Sequence, residues 1–201
     1  MIREHTIQLT APANEPVTLA EARLWLKIDD DNETDDAVIL LLITAMRIKA
    51  EQITGRALVR RTMEHRMDAF PDSDTPIELP YPPLVSVEYI RYKDSVGDEQ
   101  ELSGSPSEYQ TDLGSSPGRV YPLYGESWPG ALIAPGSVRI GYTCGMTSQA
   151  QVSKLVRLWM QARISTAYEF REQVVAGNVN AIPHDYADGL LDELRIARMF
   201  A

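Results

Sequence analysis

The residues of this chain with chemistry to offer are three histidines, one cysteine, a serine in a Gly-x-Ser turn and a dense acidic run. His5, His65 and His184 fall in a terminal segment, a predicted strand and a pre-helix loop, with no HExxH or comparable ligand spacing between them. Cys144 ends a predicted strand without a sequence-adjacent base, which reads as a buried or incidental thiol; being single, it forms no internal disulfide. Gly125-Glu126-Ser127-Trp128-Pro129 begins like a hydrolase nucleophile elbow, but proline replaces the second glycine and no strand-to-helix turn is predicted there. Asp29, Asp31, Glu33 and Asp35 alternate as in the opening of a calcium loop. Every twelve-residue frame nevertheless puts Thr34, Asp35 or Asp36 at the glycine position and Leu40, Leu41 or Leu42 where the bidentate glutamate belongs. Neither GxGxxG nor GxxxxGK[ST] occurs. Residue chemistry therefore predicts no catalytic residue, no metal site and no cofactor.

The elements that would carry these residues follow from punctuation and periodicity. Pro and Gly are nearly absent from residues 17–70 and 146–176 and crowded into 71–145, which reads as helix, a β-rich middle, then helix. Thr18-Leu-Ala-Glu21 has capping-box spacing and opens a short helix to about Ile28; a second helix starts near Thr34 or Asp35 and ends at Gly55. From Leu58 to Ala69 apolar and polar residues alternate as in a half-buried strand, and further short strands follow to Tyr142. Beyond Gly145 an amphipathic helix carries Val152, Val156 and Trp159, and a last short helix carries Leu190, Leu191 and Leu194. The expected fold is α+β: a bundle of N- and C-terminal helices (1–57 and 146–201, packing together) with an inserted antiparallel sheet or small barrel (58–145).

Three surfaces stand out. The second helix has two apolar stripes, Ile39, Leu42, Ile43, Met46, Ala50 and Ile53 on one side and Val38, Leu41, Ala45 and Ile48 beside it; so wide a face needs two partners, either both within the chain or, for the second stripe, another subunit, which makes that stripe the candidate oligomer interface, because exposed apolar faces seldom persist on monomers. The run Asp29, Asp30, Asp31, Glu33, Asp35 and Asp36 puts six carboxylates in eight residues and is the candidate channel- or partner-facing segment. Leu190, Leu191, Leu194, Met199 and Phe200 form a C-terminal apolar set, a candidate docking element or a segment packing back on its own helices.

The 201 residues carry 19 basic and 29 acidic side chains, a net charge of −10, which disfavours condensation on nucleic acid. The longest apolar run, Val38 to Ile43, is far short of a membrane span, and no apolar signal segment follows Met1, so neither membrane insertion nor secretion is expected.

Several segments recur in one order: Pro16-Val-Thr-Leu-Ala-Glu-Ala-Arg23 before an Asp-rich break, Glu51-Gln-Ile-Thr-Gly-Arg-Ala57 closing a long helix, and Arg66-Met-Asp-Ala-Phe-Pro71. Then come Pro76-Ile-Glu-Leu-Pro-Tyr-Pro-Pro-Leu84, Tyr92-Lys-Asp-Ser-Val-Gly97, Ser107-Glu-Tyr-Gln-Thr-Asp112, Tyr124-Gly-Glu-Ser-Trp-Pro129, Val138-Arg-Ile-Gly-Tyr-Thr143, Tyr168-Glu-Phe-Arg-Glu172 and Ile182-Pro183. Over nearly the whole chain this order resembles the head-tail connector (adaptor) family of tailed bacteriophages. The resemblance implies a structural protein of the virion neck, assembled in the host bacterial cytoplasm. It further implies a ring, commonly of twelve copies, that binds the portal and other neck or tail-completion proteins and extends the DNA channel, DNA only passing through. It implies no catalytic residue. Two other classes compete: a carbohydrate- or receptor-binding virion module using Tyr81, Tyr89, Tyr92, Tyr121, Tyr124 and Trp128, and a hydrolase assembled from His65, Ser127 and Asp112.

Overall fold

A computed structural model describes residues 2–29, 33–102, 104, 106–170 and 189–196. The chain divides into two compact units, Met1–Ala13 with Arg60–Gly145 and Asn14–Val59 with Met146–Ala201.

The first unit is built of strands. β1 (Glu4–Gln8), β2 (Arg61–Met67), β8 (Val138–Cys144), β4 (Leu84–Lys93) and β5 (Glu99–Leu102) form one antiparallel sheet in the order β1-β2-β8-β4-β5. β3 (Ile77–Leu79), β7 (Gly118–Pro122) and β6 (Tyr109–Asp112) form a second, in the order β3-β7-β6. Register sorts the larger sheet into two faces, since directly opposed residues of antiparallel strands share a face. Met63 opposite Tyr142, His65 opposite Ile140 and Met67 opposite Val138 lie on the buried one. Glu64 and Tyr89, both opposite Gly141, and Arg66 and Arg91, both opposite Arg139, lie on the other. Three arginines therefore stand side by side in one cross-strand row, and each is neutralised: Arg66 by Glu64 at 2.6 Å, Arg91 by Glu101 at 2.7 Å and Arg139 by Glu99. Long segments without regular structure are held by side chains. Trp128 stacks on Phe70 with ring centroids 5.1 Å apart, and its indole N–H donates to the Thr75 carbonyl at 2.9 Å.

The second unit is built of helices. α1 (Leu19–Leu26) starts at a complete capping box: the Thr18 hydroxyl accepts from the Glu21 N–H at 3.1 Å, and the Glu21 carboxylate accepts from the Thr18 N–H at 2.9 Å. α2 (Asp36–Thr54) ends at Gly55, whose φ of 72° closes the last turn without a Cβ clash. α3 (Lys154–Glu169) packs against both, and Ala22, Ile39, Ile43, Ala50, Val156, Trp159, Met160 and Ile164 share one buried core.

A helical bundle with an inserted sheet is not what forms. Eight strands in two antiparallel sheets dominate, and only three α-helices accompany them among the described residues. The sheet is also no simple insertion, since residues 4–8, expected in the helical part, supply its edge strand β1, paired with Met63–Met67 of β2. Glu4-His-Thr-Ile-Gln8 has a single aliphatic residue and no alternation to read; what makes it a strand is the free edge of β2, a non-local partner.

That pairing also covers His65. Its side chain is 2% exposed, Nδ1 lies 2.9 Å from the Thr6 hydroxyl, and Nε2 makes a longer 3.4 Å approach to Glu4. Burial holds the imidazole below its ordinary pKa of 6.5; Glu4 pulls the other way without cancelling the effect, and neighbouring His5 adds to it. The folded chain thus binds less proton here than the unfolded chain does. The contribution to stability is complete above the ordinary value and is lost as pH falls from 6.5 towards the lowered native value. Urea midpoints are expected to drop between about pH 7 and pH 5, a window above that of the lowered carboxylates Glu21, Glu64 and Glu88. His65→Gln keeps a partner for Thr6 and should flatten this slope; an unchanged slope would assign the proton uptake to another group.

Candidate subunit interface

α2 is apolar on two opposite sides, and the tertiary structure uses only one. At 100° per residue, Ile39, Ile43, Ala50 and Thr54 point one way and are buried. Val38, Leu41, Ala45 and Ile48 point the opposite way, and all four are exposed, Leu41 at 68%. Leu40 adds to this surface. For about three turns the outer side of α2 offers no charge.

Lys49 stands exposed at the C-terminal end of this face, beside Ile48, whereas the other charges near it are engaged within the helical unit. Arg23 pairs with Asp36 through two hydrogen bonds of 2.6 and 2.8 Å, and the Tyr168 hydroxyl donates to Asp35 at 2.6 Å. Arg47, on the buried side, is held by Glu15 at 2.8 Å and Glu51 at 2.9 Å. The exposed stripe therefore has a rigid, desolvation-ready backing, the arrangement of an interface core.

The other candidates separate. In the acidic run, Asp29 and Glu33 are exposed, Asp35 and Asp36 are half-buried and spent on tying the helices together, and Asp30 and Asp31 lie outside the described residues. In the C-terminal set, Leu191 is fully buried in the helical core and Leu190 and Leu194 pack against it, so these three cover their own chain; Met199 and Phe200 lie outside the described residues. Arg56 reinforces this return by donating to the Leu194 carbonyl at 2.8 Å.

The hydrolase candidates are not brought together. His65 is buried against Thr6, Asp112 accepts from the N–H groups of Gly114 and Ser115 in its own turn, and Ser127 sits exposed in the loop after β7. Cys144 is buried. The aromatics are mostly structural: Trp128 is sandwiched against Phe70, Tyr92 meets the same ring edge-on, and Tyr89 covers Gly141 and donates to Glu64 at 2.5 Å. Tyr81 and Tyr121 are half-buried and only Tyr124 stands free, which is no platform for a sugar ring.

Comparison with known families and with curated proteins finds no match by sequence. Solved structures do match over the full length. A chain in the neck of an empty gene transfer agent (GTA) particle, computed with C6 symmetry, superposes with a TM-score of 0.78 at 21% identity, covering 98% of each chain. A chain of the native gene transfer agent virion gives 0.78 at 22% identity over 98% of this chain and 97% of that one. One in the native particle's neck, computed with C12 symmetry, gives 0.73 at 21% identity over 98% of both. This chain has the fold of a particle-neck protein, in agreement with the connector resemblance of its sequence.

Proposed function

We propose that this chain, which shares its whole fold with proteins of gene transfer agent necks, is a non-enzymatic structural subunit of the neck of a tailed phage-like particle. It forms a ring of twelve copies on the portal and continues the DNA channel towards the tail. The observation that carries this reading is the uncharged outer stripe of α2, a face a lone subunit would leave in water. The net charge of −10 suits a conduit through which DNA slides without being held. The reading also accounts for catalytic candidates that stand apart from one another.

Negative-stain electron microscopy of the purified protein, alone and with the portal of its own particle, tests it. Rings are expected in at least the portal-containing sample, and monomers in both would overturn the reading. Leu41→Asp places a charge on the outer stripe. Because the side chain is exposed, thermal stability is expected to change by no more than about 0.5 kcal/mol, while ring formation is lost. A folded Leu41→Asp protein that still builds rings would remove α2 from the interface.

A further inference from the structure

Three strands meet at one end of the larger sheet, because β2 stops at Met67, β4 stops at Lys93 and antiparallel β8 starts between them at Val138. The connecting segments there, residues 68–75, 94–98 and 123–137, carry the three most exposed large apolar side chains among the described residues of the strand unit: Tyr124 at 97%, Ile133 at 83% and Val96 at 80%. We propose that this end of the unit is a docking surface for a different, basic protein of the same neck. The proposal rests on the neck reading above for where the partner is found, and adds the surface and the partner's charge.

A fixed frame presents these side chains, although none of them stands in a strand. Trp128 is its clamp: the indole stacks on Phe70, which Tyr92 meets edge-on, and the Trp128 backbone N–H donates to the Ser73 carbonyl at 3.2 Å. The Leu132 N–H donates to the Lys93 carbonyl at 2.8 Å and the Ala134 N–H to the Asp68 carbonyl at 3.1 Å, so the segment carrying Ile133 is tied to the ends of both β4 and β2. Tips fixed before binding have little freedom left to lose on docking. Charge then selects the partner. The three segments hold six carboxylates, of which Asp72, Asp74, Asp98 and Glu126 are exposed and in no ion pair among the described residues; against them stand Lys93 and, just before β1, Arg3. A second copy of this chain is a poor match, because it carries the same net charge of −10 and eight of its described arginines already pair with carboxylates of their own chain. DNA and anionic membranes are repelled by the same carboxylates. A protein whose lysines and arginines surround apolar pockets satisfies both the tips and the charges around them.

Biolayer interferometry tests this with the full chain immobilised and, as probes, the purified portal and each other neck or tail-completion protein of its own particle in turn. One probe is expected to bind, with an affinity that falls as sodium chloride is raised. Tyr124→Ser/Ile133→Ser and Asp72→Lys/Asp74→Lys should each weaken that binding by about tenfold or more. Thermal midpoints are expected to stay at the wild-type value, since all four side chains are exposed. Either double variant binding every probe as the wild type does overturns the docking surface and leaves the ring reading standing; a role between copies would show here as lost rings with probe binding intact. Wild-type protein that forms rings and binds no probe also overturns the docking surface alone. Wild-type protein that forms no ring and binds no probe overturns both.

Discussion

Glu51→Ala is expected to cost about 3–5 kcal/mol of folding stability, although no contact with another subunit is proposed for this residue. Its carboxylate is almost wholly buried and does two things: one oxygen accepts from Arg47 Nη1 at 2.9 Å, the other from the Leu58 backbone N–H at 2.9 Å. Truncation leaves the Leu58 N–H without this acceptor and the buried Arg47 guanidinium dependent on Glu15 alone, itself a half-buried partner. The loss is thus mainly that of stranding a charge in a poorly solvated place, not that of one ion pair. Arg47→Met in the Glu51→Ala background removes the stranded charge and should recover a large part of the stability. Equilibrium urea unfolding of the single and double variants measures both effects. A single variant losing under about 1 kcal/mol, or a double variant no better than the single, would show that water reaches this network.

Gly141→Ala is expected to destabilise by about 2–3 kcal/mol, a large effect for one methyl group added to a strand. Gly141 has no left-handed φ, so the backbone itself tolerates alanine. The obstacle is Tyr89, whose ring atoms would lie 2.3 and 2.4 Å from the new Cβ. The ring cannot step aside cheaply. Its hydroxyl donates to Glu64, and the Arg91 guanidinium sits over its face, 4.4 Å from the centroid. Burial first, then the bond to Glu64, pushes the tyrosine pKa up to about 12, so the hydroxyl stays protonated as a donor throughout the neutral range. With Tyr89→Ala present, the same Gly141→Ala change should become neutral or favourable by up to about 1 kcal/mol, because alanine has less chain entropy to lose than glycine. A double-mutant cycle on thermal or urea midpoints reads the reversal; equal costs in both backgrounds would place the strain elsewhere than in the ring.

Local rules made the helices legible from the sequence. The Thr18–Glu21 box, Gly55 as a stop and the 3.6-residue spacing of α2 act within a few residues, where sequence neighbours are spatial neighbours. The presence of two apolar stripes on α2 was visible for the same reason, and so was the excess of apolar face that points to a partner. Only the tertiary structure decided which stripe is spent on the core, because that choice depends on where α1 and α3 pack. It also decided that Glu4–Gln8 is a strand, that Leu190, Leu191 and Leu194 cover their own helices, and that Tyr89 stands over Gly141, each settled by a partner dozens of residues away or more. A turn or cap is stabilised by atoms its own segment supplies, whereas a strand edge or a buried face takes its partner from elsewhere in the chain, and a one-residue change of register would send every side chain to the other side.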